Sequence, residues 1–379
     1  MARSLKLGIV VGRSADTAKR AYLKGIPEKL LGDNEDPPAD VAVAWYIKKT
    51  YPNVIVDIIT PNDISLARFN QNDFIYVLYD LIDCFNEGGI ELFRIRTKIY
   101  SETKAIMYPT VEMQKLIISK SRYYKLLLDH GIPVAPYISV SKAEYISKTK
   151  PQRKVLSREM LSKIKEKEWP GVIAKPELGS YGTGIKIFPD IKKLNETGIS
   201  KLLEKTFIKD NFEAMLFQRY MEDFPHYFEI RTYWINGKYK KSVGTIIDYN
   251  TLGTGDEELY IDTPKNEGGD IPSFIIDPLK EIGKKIIKTL PKMYGSPNLM
   301  VRMDFGCCQV GDDTIKGVQP DMCKKYFLNE VELTPNLFPD YGKYDIIKGL
   351  GDALVVKARE LVEKPTKIKS RKRKIQKKG

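Results

Sequence analysis

Residues 5–12 (LKLGIVVG) form a mainly apolar run ending in glycine, the pattern of a buried strand of a parallel sheet. Residues 40–49 (DVAVAWYIKK) space their apolar positions as a helix does, and 54–59 (VIVDII) and 74–79 (FIYVLY) are again short apolar runs. Strand, helix, strand, strand predicts an α/β unit with a parallel sheet, ending near residue 105. The pattern then changes. Residues 112–130 (EMQKLIISKSRYYKLLLDH) predict one helix with Leu116, Lys120, Tyr123 and Leu127 on a shared face, Gly131 at its C′ position and Pro133 beyond it. Residues 142–168 are rich in Lys and Glu and predict an exposed helical linker. VIAK (172–175) and IKIF (185–188) flank the glycine-rich ELGSYGTG (177–184), which predicts a hairpin. AMLFQRY (214–220), FEIRTYWING (228–237) and KSVGTIID (241–248) have strand patterns, the last two pairing across Asn236-Gly237. Residues 250–272, rich in Gly, Asp and Glu, predict a long lid-like loop. An amphipathic helix at 276–294 and strands at 299–306 (LMVRMDFG) and 326–333 (YFLNEVEL) complete the pattern, with no internal repeat.

Composition narrows the class. A chain of 379 residues holds two or three domains. No apolar run approaches the ~18 residues that span a bilayer, so no membrane partner is expected. The N-terminal apolar patch is interrupted at Gly8 and reads as a first strand rather than a secretory segment. Cys84, Cys307, Cys308 and Cys323 form no spaced framework and fit a reducing, cytoplasmic setting, with Cys84 and Cys307 expected as buried small hydrophobes. With only His130 and His226, a multi-histidine zinc site is excluded. Lys plus Arg total 62 against 49 Asp plus Glu, a net charge of +13. Residues 364–379 (KPTKIKSRKRKIQKKG) hold nine of those basic residues and no acidic one, which leaves +4 for the rest. The excess is a tail, read as disordered from 361 onward. It fits a solvated end, a nuclear-import address read by an import receptor, or a contact with a polyanion.

Three groups of residues carry chemistry. Lys175 precedes Gly179, Gly182 and Gly184, and glycines let backbone N–H groups approach a phosphate beside a lysine charge; the same glycines also suit a plain turn. Arg302-x-Asp304 and Glu330-x-Glu332 each place two charged side chains on one face of a strand. On neighbouring strands the three carboxylates would converge and repel unless a hard divalent cation shared them. The arginine would then stand ready for a phosphoryl group; charges on a half-exposed strand are the plainer alternative. Glu229-x-Arg231 fits a cross-strand ion pair at least as well as a ligand contact. The chain has no G-x-x-x-x-G-K-[ST] and no G-x-G-x-x-G after its first strand. Asp304-Phe305-Gly306 lacks the other kinase motifs.

The order of these parts resembles the ATP-grasp superfamily, and most closely the D-alanine–D-alanine ligases and related carboxylate–amine ligases. SKSRYYKLLLDHGIPVAPYISV (119–140) is similar to the stretch carrying an ATP-binding Lys, VIAKPELGSYGTGIKIF (172–188) to the Lys-Pro and phosphate flap, and MLFQRYM (215–221) to the adenine hinge. VRMDFG (301–306) resembles the R-x-D strand and NEVELTPN (329–336) the E-x-N-x-x-P-G motif; the likeness covers roughly 112–345. It implies an N-terminal parallel-sheet pre-ATP-grasp domain (1–105), a first grasp lobe with the central helix and flap (106–212), a second lobe with the metal site (213–360), and the tail (361–379). Lys120 and Lys175 would contact the α- and β-phosphates, with Gly179, Ser180, Gly182 and Gly184 in the flap. Gln218, Arg219, Tyr220 and Met221 would line the adenine and ribose pocket, largely through backbone groups, and Glu229 or Arg231 would touch ribose or phosphate. Asp304, Glu330 and Glu332 would hold Mg²⁺, or Mn²⁺ in its place, and Arg302 would stabilise the transferring phosphoryl group. The implied substrates are ATP, a carboxylate and an amine, and the implied assembly is a homodimer. Glu332 and Asn336 stand where the ligases usually carry Asn and Gly, and the loop 12–20 (GRSADTAKR) is not theirs, so a dipeptide product is not implied. An inositol polyphosphate kinase shares the same core, and Lys19, Arg20 and Lys24 would suit its phosphorylated substrate. A non-enzymatic polyanion-binding protein acting through its tail is the third reading.

Overall fold

The computed structural model describes residues 4–12, 17–18, 24–31, 37–178, 184–221, 229–247, 261–262, 273–294, 299–307, 326–339 and 344–363. The first unit comprises β1 (Leu5–Val10), α1 (Ala39–Thr50), β2 (Val54–Ile59), α2 (Leu66–Phe69), β3 (Phe74–Val77), α3 (Leu81–Glu102) and β4 (Ile106–Tyr108). Its four strands are parallel in the order β2-β1-β3-β4. β3 stops two residues before the end of the apolar run 74–79 because Asp80 starts a helix. The Asp80 carboxylate accepts hydrogen bonds from the backbone N–H groups of Ile82 and Asp83 and caps α3. That cap lies at the carboxyl edge of the sheet, the side on which open α/β sheets bind ligands. Cys84, at the start of α3, is buried and free.

The single helix expected over 112–130 is instead two, α4 (Val111–Ile117) and α5 (Lys120–Asp129). At the break, Ile118–Ser119, the sequence-distant Glu177 accepts hydrogen bonds from the Ser119 hydroxyl and the Ser121 N–H at the N-terminus of α5. Gly131 ends α5 with φ +70, as its position predicts. β5 (Tyr137–Ser141), α6 (Lys142–Ile146), α7 (Lys150–Glu166), β6 (Val172–Pro176), β7 (Lys186–Phe188), α8 (Glu196–Glu204) and β8 (Ala214–Arg219) follow. The strands form an antiparallel sheet ordered β5-β8-β6-β7, so this sheet takes in residues on both sides of position 212. The segment 142–168 is not an exposed linker. Leu156, Met160 and Ile164, one turn apart on α7, are buried with Leu203, Phe207 and Phe217.

The remaining elements are β9 (Glu229–Ile235), β10 (Lys238–Ile247), β11 (Ile261–Asp262), α9 (Ser273–Tyr294), β12 (Met300–Cys307), β13 (Tyr326–Glu332) and α10 (Ile346–Glu363). The sheet order is β11-β10-β9-β12-β13, antiparallel throughout. Asn236 and Gly237 take φ +50 and +72 between β9 and β10, the left-handed pair that a two-residue hairpin requires. One face of the sheet is apolar: Trp234, Val301, Met303, Phe305 and Val331 pack on Tyr123 and Leu127 of α5 and on Leu279, Ile286 and Leu290 of α9. α10 returns to the first unit, where the hydroxyls of Tyr46 and Tyr51 both donate to Asp352 Oδ1, at 2.7 and 2.6 Å. Apart from β11, the segment 250–272 lies outside the described residues, as do the tail from 364 and the connection between β12 and β13, residues 308–325. Among the described residues no helix is long and apolar enough to cross a membrane.

Candidate active site

Partners across an antiparallel ladder point to the same face. Register therefore assembles the site. One row across the sheet reads Lys241, Tyr233, Arg302, Glu332, and the next reads Val243, Arg231, Asp304, Glu330. These rows lie on the face opposite the apolar one. The two carboxylate motifs thus meet on adjacent strands, as their spacing predicts.

Arg302 holds Asp304 bidentately, Nε to Oδ1 and Nη2 to Oδ2, both at 2.8 Å, and its Nη2 lies 2.8 Å from Glu332 Oε1. Lys120 Nζ reaches over from α5 to lie 2.9 Å from Glu330 Oε1. One oxygen from each of Asp304, Glu330 and Glu332 falls within 4.8 Å of the others. Arg231 donates to Glu229 Oε2 at 3.1 and 3.2 Å, its Nε is 4.0 Å from Asp304 Oδ2, and its guanidinium lies 5.5 Å from the centre of the Phe338 ring. Glu229, Arg231, Arg302 and Asp304 are buried, whereas the side chains of Glu330 and Glu332 keep 28% and 30% of their surface, so the cluster opens along β13.

Burial and proximity set the electrostatics. Burial, with Glu330 and Asp304 close by, pushes Glu332 up to about 8 against the pull of Arg302. Glu330 stays below the usual carboxylate range in spite of its burial, because the Lys120 ammonium is beside it. Burial also drives Lys175 down to about 8, aided by the like charge of Lys120. Lys120 itself is raised: Glu330 outweighs desolvation. An all-oxygen donor set, strained by its own repulsion, fits a hard divalent cation such as Mg²⁺. The two lysines fit the oxygens of a polyphosphate.

Lys175 stands on β6 and shares a face with Gln218, since it pairs with Leu216, and Ile173 pairs with Gln218. Gln218 is buried, and its Nε2 has no hydrogen-bond partner among the described residues. The backbone N–H groups of Arg219 and Tyr220 donate to the carbonyls of Pro136 and Gly171, which occupies two of the backbone groups expected for the nucleotide; Met221 is buried beside them. Gly184 follows the flap at φ +74, while Gly179, Ser180 and Gly182 lie outside the described residues. Lys19 and Arg20 also lie outside them, and the Lys24 carbonyl accepts from the indole of Trp45.

Two residues of the cluster have no motif to mark them. Asn329 Nδ2 donates to Glu229 Oε1 at 2.7 Å, and its Oδ1 accepts from Lys175 Nζ at 3.4 Å, which joins the lysine of one lobe to the charged face of the other. Strict alternation would send Asn329 away from Glu330. A bulge in the ladder between Asp304 and Phe305 skips it, and so releases it to face the cleft. Glu177 lies two residues beyond Lys175, just past the end of β6, and that nearness to the lysine is the only signal it gives.

The fold is that of the ATP-grasp ligases. Similar solved structures include the D-cycloserine synthetase DcsG (TM-score 0.61, 14% identity, 93% of this chain and 99% of that one). The VanG D-Ala:D-Ser ligase from Enterococcus faecalis gives a TM-score of 0.59 at 12% identity over 94% and 99% of the two chains. The ATP-grasp ligase PsnB with a precursor variant, Mg and ADP gives 0.51 at 14% identity over 94% and 100%. No family model and no curated protein sequence matches the chain.

Proposed function

We propose that the protein is an ATP- and Mg²⁺-dependent ligase that joins a carboxylate to an amine. The observation that carries this reading is the convergence of Lys120, Lys175, Arg302, Asp304, Glu330 and Glu332, from four separate elements, around one cleft. The fold it shares with a D-Ala:D-Ser ligase and a D-cycloserine synthetase supports the same class.

Lys120 and Lys175 bind the α- and β-phosphates of ATP, and the segment Gln218–Met221 takes the base. Asp304, Glu330 and Glu332 would hold Mg²⁺, whose charge would offset that of the phosphates. Arg302, aimed by its bidentate grip on Asp304, faces the γ-phosphoryl group. The substrate carboxylate attacks the γ-phosphorus, the bond to the β-phosphate oxygen breaks, and ADP leaves an acyl phosphate behind. The amine then attacks the acyl carbon and expels phosphate, with loss of one proton from nitrogen. No protein nucleophile is required, so positioning and electrostatics supply the rate. Lys175→Ala, Asp304→Asn and Glu330→Gln each abolish ATP turnover in this scheme. Undiminished turnover by all three purified variants would rule it out.

A further inference from the structure

Glu177 stands where the chain leaves β6, two residues beyond Lys175. The residue is 5% exposed, and a carboxylate that deep must find donors. It finds two on one helix end: Oε1 accepts from the backbone N–H of Ser121 at 2.7 Å, and Oε2 accepts from Ser119 Oγ at 3.1 Å. Ser119 makes no side-chain cap on its own helix. The cap of α5 therefore comes from the turn that follows β6, and the residue enclosed between its two contacts is Lys120. The root of Glu177 is fixed as well. Its backbone N–H donates to the Ala214 carbonyl at 2.8 Å, and Leu178 follows at φ +69 with its side chain buried among Ile118 and Phe212.

We propose that Glu177 is a positioning residue of the nucleotide site, bolting the first turn of α5 to the end of β6 so that Lys120 and Lys175 keep a fixed separation. This rests on the reading of those two lysines as phosphate ligands. They project from separate elements and carry like charge, so they repel; Asn329 and Glu330 of β13 meet the tips of Lys175 and Lys120, whereas Glu177 ties together the backbones that carry them. Without the carboxylate the Ser121 N–H and the Ser119 hydroxyl lose their acceptor and the turn carrying Lys120 frays. The contacts thus set up act on ground state and transition state alike, so their loss appears in KM for ATP rather than in kcat.

The test is a double-mutant cycle on the full chain, read by calorimetric titration with ADP and Mg²⁺. Glu177→Ala weakens ADP binding about tenfold in the wild-type background. In a Lys120→Met background the same change costs less than about twofold, because its effect passes through Lys120. Glu177→Gln keeps an acceptor for Ser121 and stays within about threefold of wild type. Equal losses in the two backgrounds, or unchanged affinity in Glu177→Ala, overturn the proposal. If Glu177→Ala does not fold, Ser119→Ala enters the same cycle; it is expected to give a smaller loss that again vanishes with Lys120→Met, and no loss overturns the proposal. A wild-type protein that binds no ADP defeats the nucleotide site itself. Binding that is abolished by Lys175→Met but indifferent to the Glu177 cycle defeats only the positioning role.

Discussion

Lys175 is half-buried beside a second ammonium, and both effects favour its neutral form, which brings it down to about 8. The sign of the consequence follows directly. Below that value the ammonium is charged and attracts phosphate; above it the charge is lost. ADP affinity should be steady near pH 7 and fall once pH rises through about 8, measured as Kd across pH 7 to 9.5. Lys120 is raised by Glu330 and stays charged through that window, so Lys175→Met should bind ADP weakly and lose the fall above pH 8. At this scale the sequence was informative wherever period-two alternation held. Arg302, Asp304, Glu330 and Glu332 could be placed on one face because strands alternate and antiparallel neighbours share faces. Asn329 escaped because the bulge beside it suspends that alternation, and Glu177 because it sits at the edge of a glycine-rich loop and caps a helix remote in sequence.

Elements were legible where their pattern was local. The hairpin at Asn236-Gly237 was, since its left-handed turn has a residue signature. α7 was misjudged although Leu156, Met160 and Ile164 recur every fourth residue; the surrounding lysines masked a buried stripe that needs a partner sheet to make sense. α9 has a feature invisible in any sequence pattern. Gly283 sits mid-helix because a Cβ there would lie 2.3 Å from a ring carbon of the fully buried Trp234. Alanine would gain ~1 kcal/mol of helix propensity, but overpacking against a large rigid ring costs ~1–3 kcal/mol. Gly283→Ala should therefore lower stability in denaturant titration. A stabilised variant would contradict the close seat of α9 on β9.

Across the whole molecule, the return of α10 onto α1 depends on contacts some three hundred residues apart, such as Tyr46 and Tyr51 with Asp352, and no periodicity announces such a contact. The net charge of +13 also takes its meaning only at this scale. Nine of the basic residues fall in the tail, while the charges of the cleft are paired or aimed at one another. Deleting residues 364–379 should leave ATP turnover unchanged and remove any salt-sensitive binding to polyanions. Turnover lost with the tail would tie it to the chemistry.

The reaction itself is tested most directly by measuring ADP and inorganic phosphate together. The purified full-length protein is given Mg²⁺, ATP and pooled carboxylic acids and amines. Ligation requires both products in equal amounts, released only when an acid and an amine are present together, and no release by Asp304→Asn. ADP without free phosphate, no ADP with any pool, or full release by Asp304→Asn would contradict it.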